Sequence, residues 1–351
     1  MNPYLSIVAT TRNDNHGGDL LKRTTAFVKG IYTQAKRFNL PIELILVEWN
    51  PPREEEELVN VLPSPKDDEP VMLRIIQVPT EIHQQYRTSD VIPLYQMTAK
   101  NVGIRRASAP FVLATNIDLL FSTDLMRFLA DRQLKEGIFY RANRCDVPKK
   151  VMNIDQLDDQ LEFCKKNTLR RLGKRKGLEG AAFPDFLSKS TMLMRLYYYP
   201  LMWTWHMVYP DKYPHFKIDF DACGDFTLMS KNDWEKIQGY AELDMYSIHI
   251  DSMALWAAVA VGIKQQVLAP KCCAYHIDHA DGWESSNVAR TIKFLESKPC
   301  LDYSIVQKGG IELIQNKQHW NLNSQNWGFV TSDLSETSIS PGGLINSSRK
   351  A

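Results

Sequence analysis

Three polar clusters follow apolar runs that read as buried strands: Thr10 to Asp14, Glu48 to Asn50, and Asn116 to Asp118. The third closes Ala109-Pro-Phe-Val-Leu-Ala-Thr-Asn-Ile-Asp118, in which Phe111 to Ala114 is apolar and one carboxylate follows. Open α/β sheets place ligands beyond the carboxyl ends of their strands. A carboxylate there can hold a divalent cation, and the cation can hold a diphosphate. The plainer reading of Asp118 is a cap for the helix that begins near Ser122-Thr123-Asp124. Glu48 can accept a hydrogen bond from a base or a ribose hydroxyl, or it can be a surface carboxylate beside a turn. In a parallel sheet all three clusters share one edge, and that convergence outweighs any single motif.

Further candidates lie downstream. In Lys100-Asn101-Val-Gly103-Ile-Arg105, Asn101 and Arg105 are four apart and share a helix face. Turned inward, Arg105 can contact a diphosphate; turned outward, it is a solvated cation. Asp221-Ala-Cys-Gly224-Asp225-Phe226 sets an acid beside a glycine that permits close backbone approach. Asp251, in His249-Ile-Asp251, is either a first-turn acid of the apolar helix that follows or a general base aimed into the crevice. His276, Asp278 and His279 make a compact group, and neutral imidazoles suit Mn-type metals. The two histidines converge only if the turn bearing them is helical or tight.

The elements that must position these groups read as follows. Tyr4 to Thr10 is a strand, Leu20 to Phe38 a helix and Pro41 to Val47 a second strand. This β-α-β opening with short connections points to an α/β, doubly wound sheet. Arg53 to Leu62 reads as a short acidic helix, Val71 to Val78 as a third strand, and Tyr95 to Ala107 as a helix leading to the strand before Asp118. Residues 145–215 break this rhythm and read as an insertion: an acidic stretch (Asp155 to Glu162), a basic run (Lys165 to Lys176), then an aromatic cluster (Tyr197 to Tyr209). Phe226 to Ser230 resumes regular structure, Ser252 to Val261 is a helix, and Gln266 to Ala269 a late strand followed by Tyr275 to His279. Residues 331–351 are Ser/Gly/Asn-rich and read as a flexible tail. One domain over 1–330 is expected.

Composition narrows the classes. The chain of 351 residues is 44% hydrophobic and 24% charged, ordinary for a globular protein, and its net charge of +1 offers no basic field for nucleic acid. The six cysteines show no Cys-x-x-Cys spacing, so reduced thiols in a cytoplasmic protein are expected. No signal peptide is read at the start, and no apolar run approaches the ~20 residues of a membrane span.

Leu5-Ser-Ile-Val-Ala-Thr-Thr-Arg-Asn-Asp14, Glu48-Trp49-Asn50, the Lys100 to Arg105 helix and Asn116-Ile-Asp118 together resemble a GT-A glycosyltransferase. Ala222-Cys-Gly-Asp225-Phe-Thr-Leu-Met, His249-Ile-Asp251 and Tyr275-His-Ile-Asp-His279 resemble the acceptor half of such enzymes. The likeness spans roughly residues 4 to 285, with 145–215 unlike it. It implies a nucleotide-sugar half at 1–122 and an acceptor half at 216–285. It also implies a mixed, mainly parallel sheet, and a nucleotide-diphosphate sugar, UDP-linked, as donor with Mn2+ or Mg2+ as cofactor. In that family an Asp-x-Asp motif holds metal and diphosphate. Asn116 departs from it at the first acid, which leaves Asp118 the metal role and Asn116 at most a hydrogen bond to sugar or ribose. By the same resemblance Thr10, Arg12, Asp14 and Glu48 hold the nucleoside, with Asn101 and Arg105 on the neighbouring helix. His276 or His279 completes the metal site, and Asp251 stands where inverting members keep their base, with Asp225 as rival.

The acceptor implied is a hydroxyl of a glycan or glycoconjugate. The aromatic cluster reads as subdomain core, as a stacking platform for sugar, or, with the basic run, as a peripheral contact with an anionic membrane. Two other classes compete: a nucleotidyltransferase acting on a sugar phosphate, disfavoured because Thr11 to Gly18 has no lysine, and a non-catalytic glycan- or nucleotide-binding module.

Overall fold

The computed structural model describes residues 2–173, 218–279, 295–316, 318–320 and 323–348, with isolated positions between 197 and 208 and at 293. The chain opens with β1 (Leu5–Thr11), α1 (Leu20–Phe38) and β2 (Ile42–Trp49). The short helix α2 (Leu58–Val61), β3 (Val71–Val78), the short helix α3 (Thr80–His83), α4 (Gln96–Arg106) and β4 (Phe111–Thr115) follow. β1, β2, β3 and β4 are parallel neighbours. Every residue of β1 and β2 is buried, as expected of strands covered on both faces. Alternation divides their side chains between two cores. Leu5, Ile7 and Ala9 pack with Phe27, Val28 and Ile31 of α1, whereas Val8, Ile45 and Val47 pack with Ala99, Val102 and Ile104 of α4. Gly103 makes the second contact close: a Cβ there would lie 2.4 Å from Cγ1 of Val8.

Next come β5 (Leu119–Phe121), α5 (Thr123–Ala130), β6 (Ile138–Arg141), β7 (Asn143–Val147), α6 (Leu157–Lys166) and β8 (Arg170–Leu172). After the undescribed stretch stand β9 (Phe226–Ser230), α7 (Lys231–Ile237), α8 (Ile250–Ala260), β10 (Lys264–Val267), β11 (Cys273–Ile277) and α9 (Tyr303–Asn316). The chain closes with β12 (Ser335–Ser340) and β13 (Gly343–Ser348). Among the described residues there are a nine-stranded sheet, ordered β10-β6-β9-β4-β1-β2-β3-β12-β13, and a four-stranded sheet, ordered β5-β11-β7-β8. The large sheet is mixed: β9 runs antiparallel to β4 and β6, and β12 antiparallel to β3. The protein is therefore a mixed α/β fold, a large sheet flanked by helices.

The structure departs from the sequence reading in four places. Of the expected acidic helix at Arg53 to Leu62, only Leu58–Val61 is helical, because four consecutive glutamates, Glu54 to Glu57, supply no apolar face to bury. The late strand is Lys264–Val267, and the stretch around His276 is itself a strand, not a turn. The residues at 143–172 are no appendage: β7 pairs with β11, and β8 with β7. Finally, the expected tail from 331 contains a β-hairpin whose first strand pairs with β3, where Arg74 also bonds to Glu336 at 2.7 Å. Most of the aromatic cluster and the end of the basic run lie outside the described residues. No helix among the described residues is long and apolar enough to cross a membrane.

Candidate metal centre and its surroundings

β4 ends at Thr115, and Asn116-Ile117-Asp118 link the large sheet to β5 of the small one. Asp118 thus stands where the two sheets meet. β11 runs beside β5 with His276 opposite Leu119, and the N–H of Ile277 donates to the carbonyl of Asp118 at 2.9 Å. This register delivers His276 to Asp118, and the chain leaving β11 brings His279 back over the same carboxylate. Nε2 of His276 lies 3.5 Å and Nε2 of His279 3.2 Å from Oδ2 of Asp118. One ligand atom from each of the three residues falls within 4.8 Å of the others. The condition set by the sequence, that the histidines share a tight turn, is met differently: one is the penultimate residue of a strand and the other lies two residues beyond its end.

The donor set fits a cation. Asp118 is buried, yet its Oδ1 has no hydrogen-bond partner, and Nδ1 of His279 has none either. Burial opposes the charge of Asp118, but the two imidazoles hold its carboxyl well below the usual range. For His276, burial and Arg144 press downward, while Asp118 and Asp146 prevail and hold it up at about 9. Two imidazole nitrogens and a carboxylate oxygen are a ligand set for Mn-type divalent ions.

Arg23, buried on α1, closes the other side of the cluster. Its Nη1 lies 3.5 Å from Oδ2 of Asp118, and its Nη2 donates to the carbonyls of His16 and Gly18. The loop after β1 is drawn in by these bonds. Gly17, at φ 72°, passes so near that a Cβ would sit 2.8 Å from Nδ1 of His279 and 2.9 Å from Nη2 of Arg23, so a side chain cannot stand there.

Behind the metal-type cluster lies a buried polar network. Arg144 on β7 bonds to Oδ1 of Asp146 at 2.5 Å, Oδ2 of Asp225 at 2.9 Å and Nδ1 of His276 at 2.9 Å. Asp225, just before β9, also accepts from Nδ2 of Asn116 at 2.6 Å. Asn116 in turn accepts from Gln96 at 2.9 Å and from Lys100 at 2.8 Å. Nζ of Lys100 further donates to the carbonyl of Gly224 at 2.7 Å. Burial lowers Lys100 to about 8, against the pull of Asp225, Asp251 and Asp118. Asp251 leans over the same turn: a Cβ on Gly224 would lie 3.0 Å from its Oδ2, while its Oδ1 accepts the N–H of Ser252. Asp251 remains half-buried, whereas Asp225 is buried with both oxygens engaged.

Thr10, Arg12, Asp14 and Glu48 gather at the carboxyl ends of β1 and β2, on the edge of the large sheet beyond which Asp118 stands. Arg12 pairs with Asp14 at 2.7 Å and donates to the carbonyl of Asn50 at 2.9 Å. Glu48 is buried; Oε2 accepts from Gln77 at 3.0 Å and Oε1 has no partner, nor has Oγ1 of Thr10. Burial, seconded by Glu57, raises its carboxyl to about 7 against hydrogen bonds from Gln77 and Leu58.

Asn101 and Arg105 do not join this rim. Nδ2 of Asn101 donates to the carbonyl of Tyr240 at 2.8 Å and to Glu242 at 3.0 Å, while its Oδ1 accepts the N–H of Tyr240. Its amide therefore ties α4 to the chain after α7. Arg105 pairs with Glu235 and lies over the Trp327 ring, 4.8 Å from its centroid. The shared face of these two residues looks toward α7 and the chain near Trp327, away from Asp118. Lys100, one residue earlier, is the cation that α4 turns inward. The sequence reading assigned no role to Arg23, Gln96, Lys100, Arg144 or Asp146. No signal marked Arg144 and Asp146: they share one face of β7, and charges alternating with Cys145 read as a solvated face.

No known family model matches the chain, and no curated protein matches it. Among solved structures, the catalytic domain of Drosophila beta1,4-galactosyltransferase 7, in complex with xylobiose, matches over 80% of this chain and 72% of that chain, at 9% identity and a TM-score of 0.35. A likeness at that level carries no functional argument.

Proposed function

We propose that this protein is a glycosyltransferase that uses a divalent metal, Mn2+ or Mg2+, and moves a sugar from a nucleotide-diphosphate donor, UDP-linked, to a hydroxyl of a glycan acceptor. The observation that carries this reading is the Asp118–His276–His279 cluster at the junction of the two sheets, beside the polar rim of β1 and β2. Asp118, His276 and His279 would hold the cation, which supplies charge neutralisation to a departing diphosphate. Arg23 adds a buried positive charge to the same place. Thr10 and Glu48 offer unpartnered oxygens to a nucleoside, and Arg12 and Asp14 flank them.

Asp251 is the base. Its carboxylate takes the acceptor hydroxyl proton as the new glycosidic bond forms and the bond to the diphosphate breaks, and the anomeric centre inverts. Asp225 serves another end. Its two oxygens are held by Arg144 and Asn116, so it positions the turn carrying Gly224, against which Asp251 leans.

Calorimetric titration with Mn2+, then with UDP and other nucleoside diphosphates in its presence, tests the proposal. Metal-dependent nucleotide binding that Asp118→Ala abolishes is expected; nucleotide binding indifferent to metal and to Asp118 would sink it. Slow hydrolysis of a UDP-sugar separates an enzyme from a module that only binds.

A further inference from the structure

We propose that Asp146 is a positioning residue for the metal centre: it accepts the Nδ1 proton of His276 and so turns the Nε2 lone pair toward the cation. This rests on the metal reading above. Asp146 and His276 are direct partners on the parallel strands β7 and β11, so their side chains stand side by side on one face. Oδ1 of Asp146 lies 3.3 Å from Nδ1 of His276, and Nε2 on the far side of the ring faces Asp118. Asp146 is 1% exposed, and its Oδ2 has no hydrogen-bond partner. A buried carboxylate left half-satisfied is costly and calls for an explanation.

Arg144 shapes that task. Its Nε anchors Oδ1 of Asp146, which fixes the carboxylate against the imidazole. Its Nη2 also lies 2.9 Å from Nδ1 of His276. A guanidinium only donates, so in the neutral ring that contact leaves the proton on Nε2, pointing at Asp118. A cation at Nε2 excludes this tautomer and places the proton on Nδ1; Nη2 of Arg144 must then give up its contact, and Oδ1 of Asp146, 3.3 Å away, is the acceptor. Ligating histidines commonly give their second N–H to such a carboxylate, and its loss costs about 10–100-fold in metal affinity.

The experiment is Mn2+ binding by electron paramagnetic resonance to the full chain as wild type, Asp118→Ala, Asp146→Ala and Asp146→Asn, with thermal melting of each. Asp146→Ala is expected to weaken Mn2+ binding by about 10–100-fold. Asp146→Asn, whose amide oxygen still accepts from Nδ1, should lose less, and raised Mn2+ should restore UDP binding in both. A folded Asp146→Ala protein with wild-type Mn2+ affinity overturns the proposal, even if its melting temperature falls, because a purely structural role would do that. Wild type that binds no Mn2+ overturns the metal reading itself; binding lost in Asp118→Ala but kept in Asp146→Ala overturns this inference alone. Should Asp146→Ala fail to fold, 15N spectra of the wild type with Mg2+ read the tautomer directly. A proton on Nδ1 of His276 is expected, and a proton on Nε2 overturns the proposal.

Discussion

The side-chain amide of Asn116 donates to Oδ1 of Asp225 at 2.6 Å, and no carboxylate could replace it there without setting two acids face to face. The oxygen end of the same amide accepts from Gln96 and Lys100. The position is thus built for a group that is donor at one end and acceptor at the other.

Asn116→Asp, which would create an Asp-x-Asp sequence, is therefore expected to harm the protein. The new carboxylate faces buried Asp225 and should destabilise the fold by about 1–3 kcal/mol near neutral pH. Because one acid of such a pair can take up a proton, the deficit should shrink as pH falls. Urea unfolding at pH 5 and pH 8 measures both effects; a variant as stable as wild type at pH 8 would refute the donor role of Asn116.

Asp251→Asn should lower kcat by about 10²–10⁴-fold while leaving the affinity for donor nucleotide and Mn2+ unchanged. Asp225→Asn is expected to act differently, weakening the fold as well, because it takes a charge from buried Arg144. Steady-state kinetics with separate nucleotide titrations distinguish the two, and near-normal turnover of Asp251→Asn would end its assignment as base.

Glu48 makes stability depend on pH in a defined direction. Its folded-state value of about 7 lies above the ordinary 4.5. The native protein therefore binds more protons than the unfolded chain between these values, and stability falls as pH rises through that window. The contribution is about 3 kcal/mol at most. In Glu48→Gln the difference in unfolding free energy between pH 4.5 and pH 8 should change by that order. An unchanged difference would show that the carboxyl titrates normally.

Gly103→Ala forces a methyl to within 2.4 Å of Cγ1 of Val8 and 3.2 Å of Cγ2 of Val47. α4 must lift from the sheet, at a cost of about 1–3 kcal/mol. Lys100, which braces Asn116 and the carbonyl of Gly224, rides on the same helix, so turnover should fall together with thermal stability. A variant that melts like wild type would refute the close packing of α4 on β1.

The parts of this fold legible in sequence were those with an unambiguous period. β1 to β4 and the longer helices α1 and α4 read directly from continuous apolar runs and helical spacing, and the parallel pairing of these strands follows from the β-α-β connections. Asp118, His276 and His279 could be named as candidate ligands from their residue types and the GT-A resemblance. Their meeting could not be derived, because it depends on β11 entering a second sheet beside β5. Arg144 and Asp146 were hidden for a related reason: charges on a strand read as solvated until a partner strand buries them. Arg105 was misread because helix spacing tells which residues share a face, not which way that face turns.

The hairpin of β12 and β13 has a consequence for synthesis. β3 is an apolar strand whose outer side is paired, among the described residues, by β12, some 260 residues later in the chain, where Arg74 meets Glu336. Until Ser335–Ser340 leave the ribosome, the nascent protein carries a bare, β-prone rim that can recruit other chains. Shortening the gene from its 3′ end would make that interval permanent, and such products should gather in inclusion bodies although every residue around Asp118 is intact.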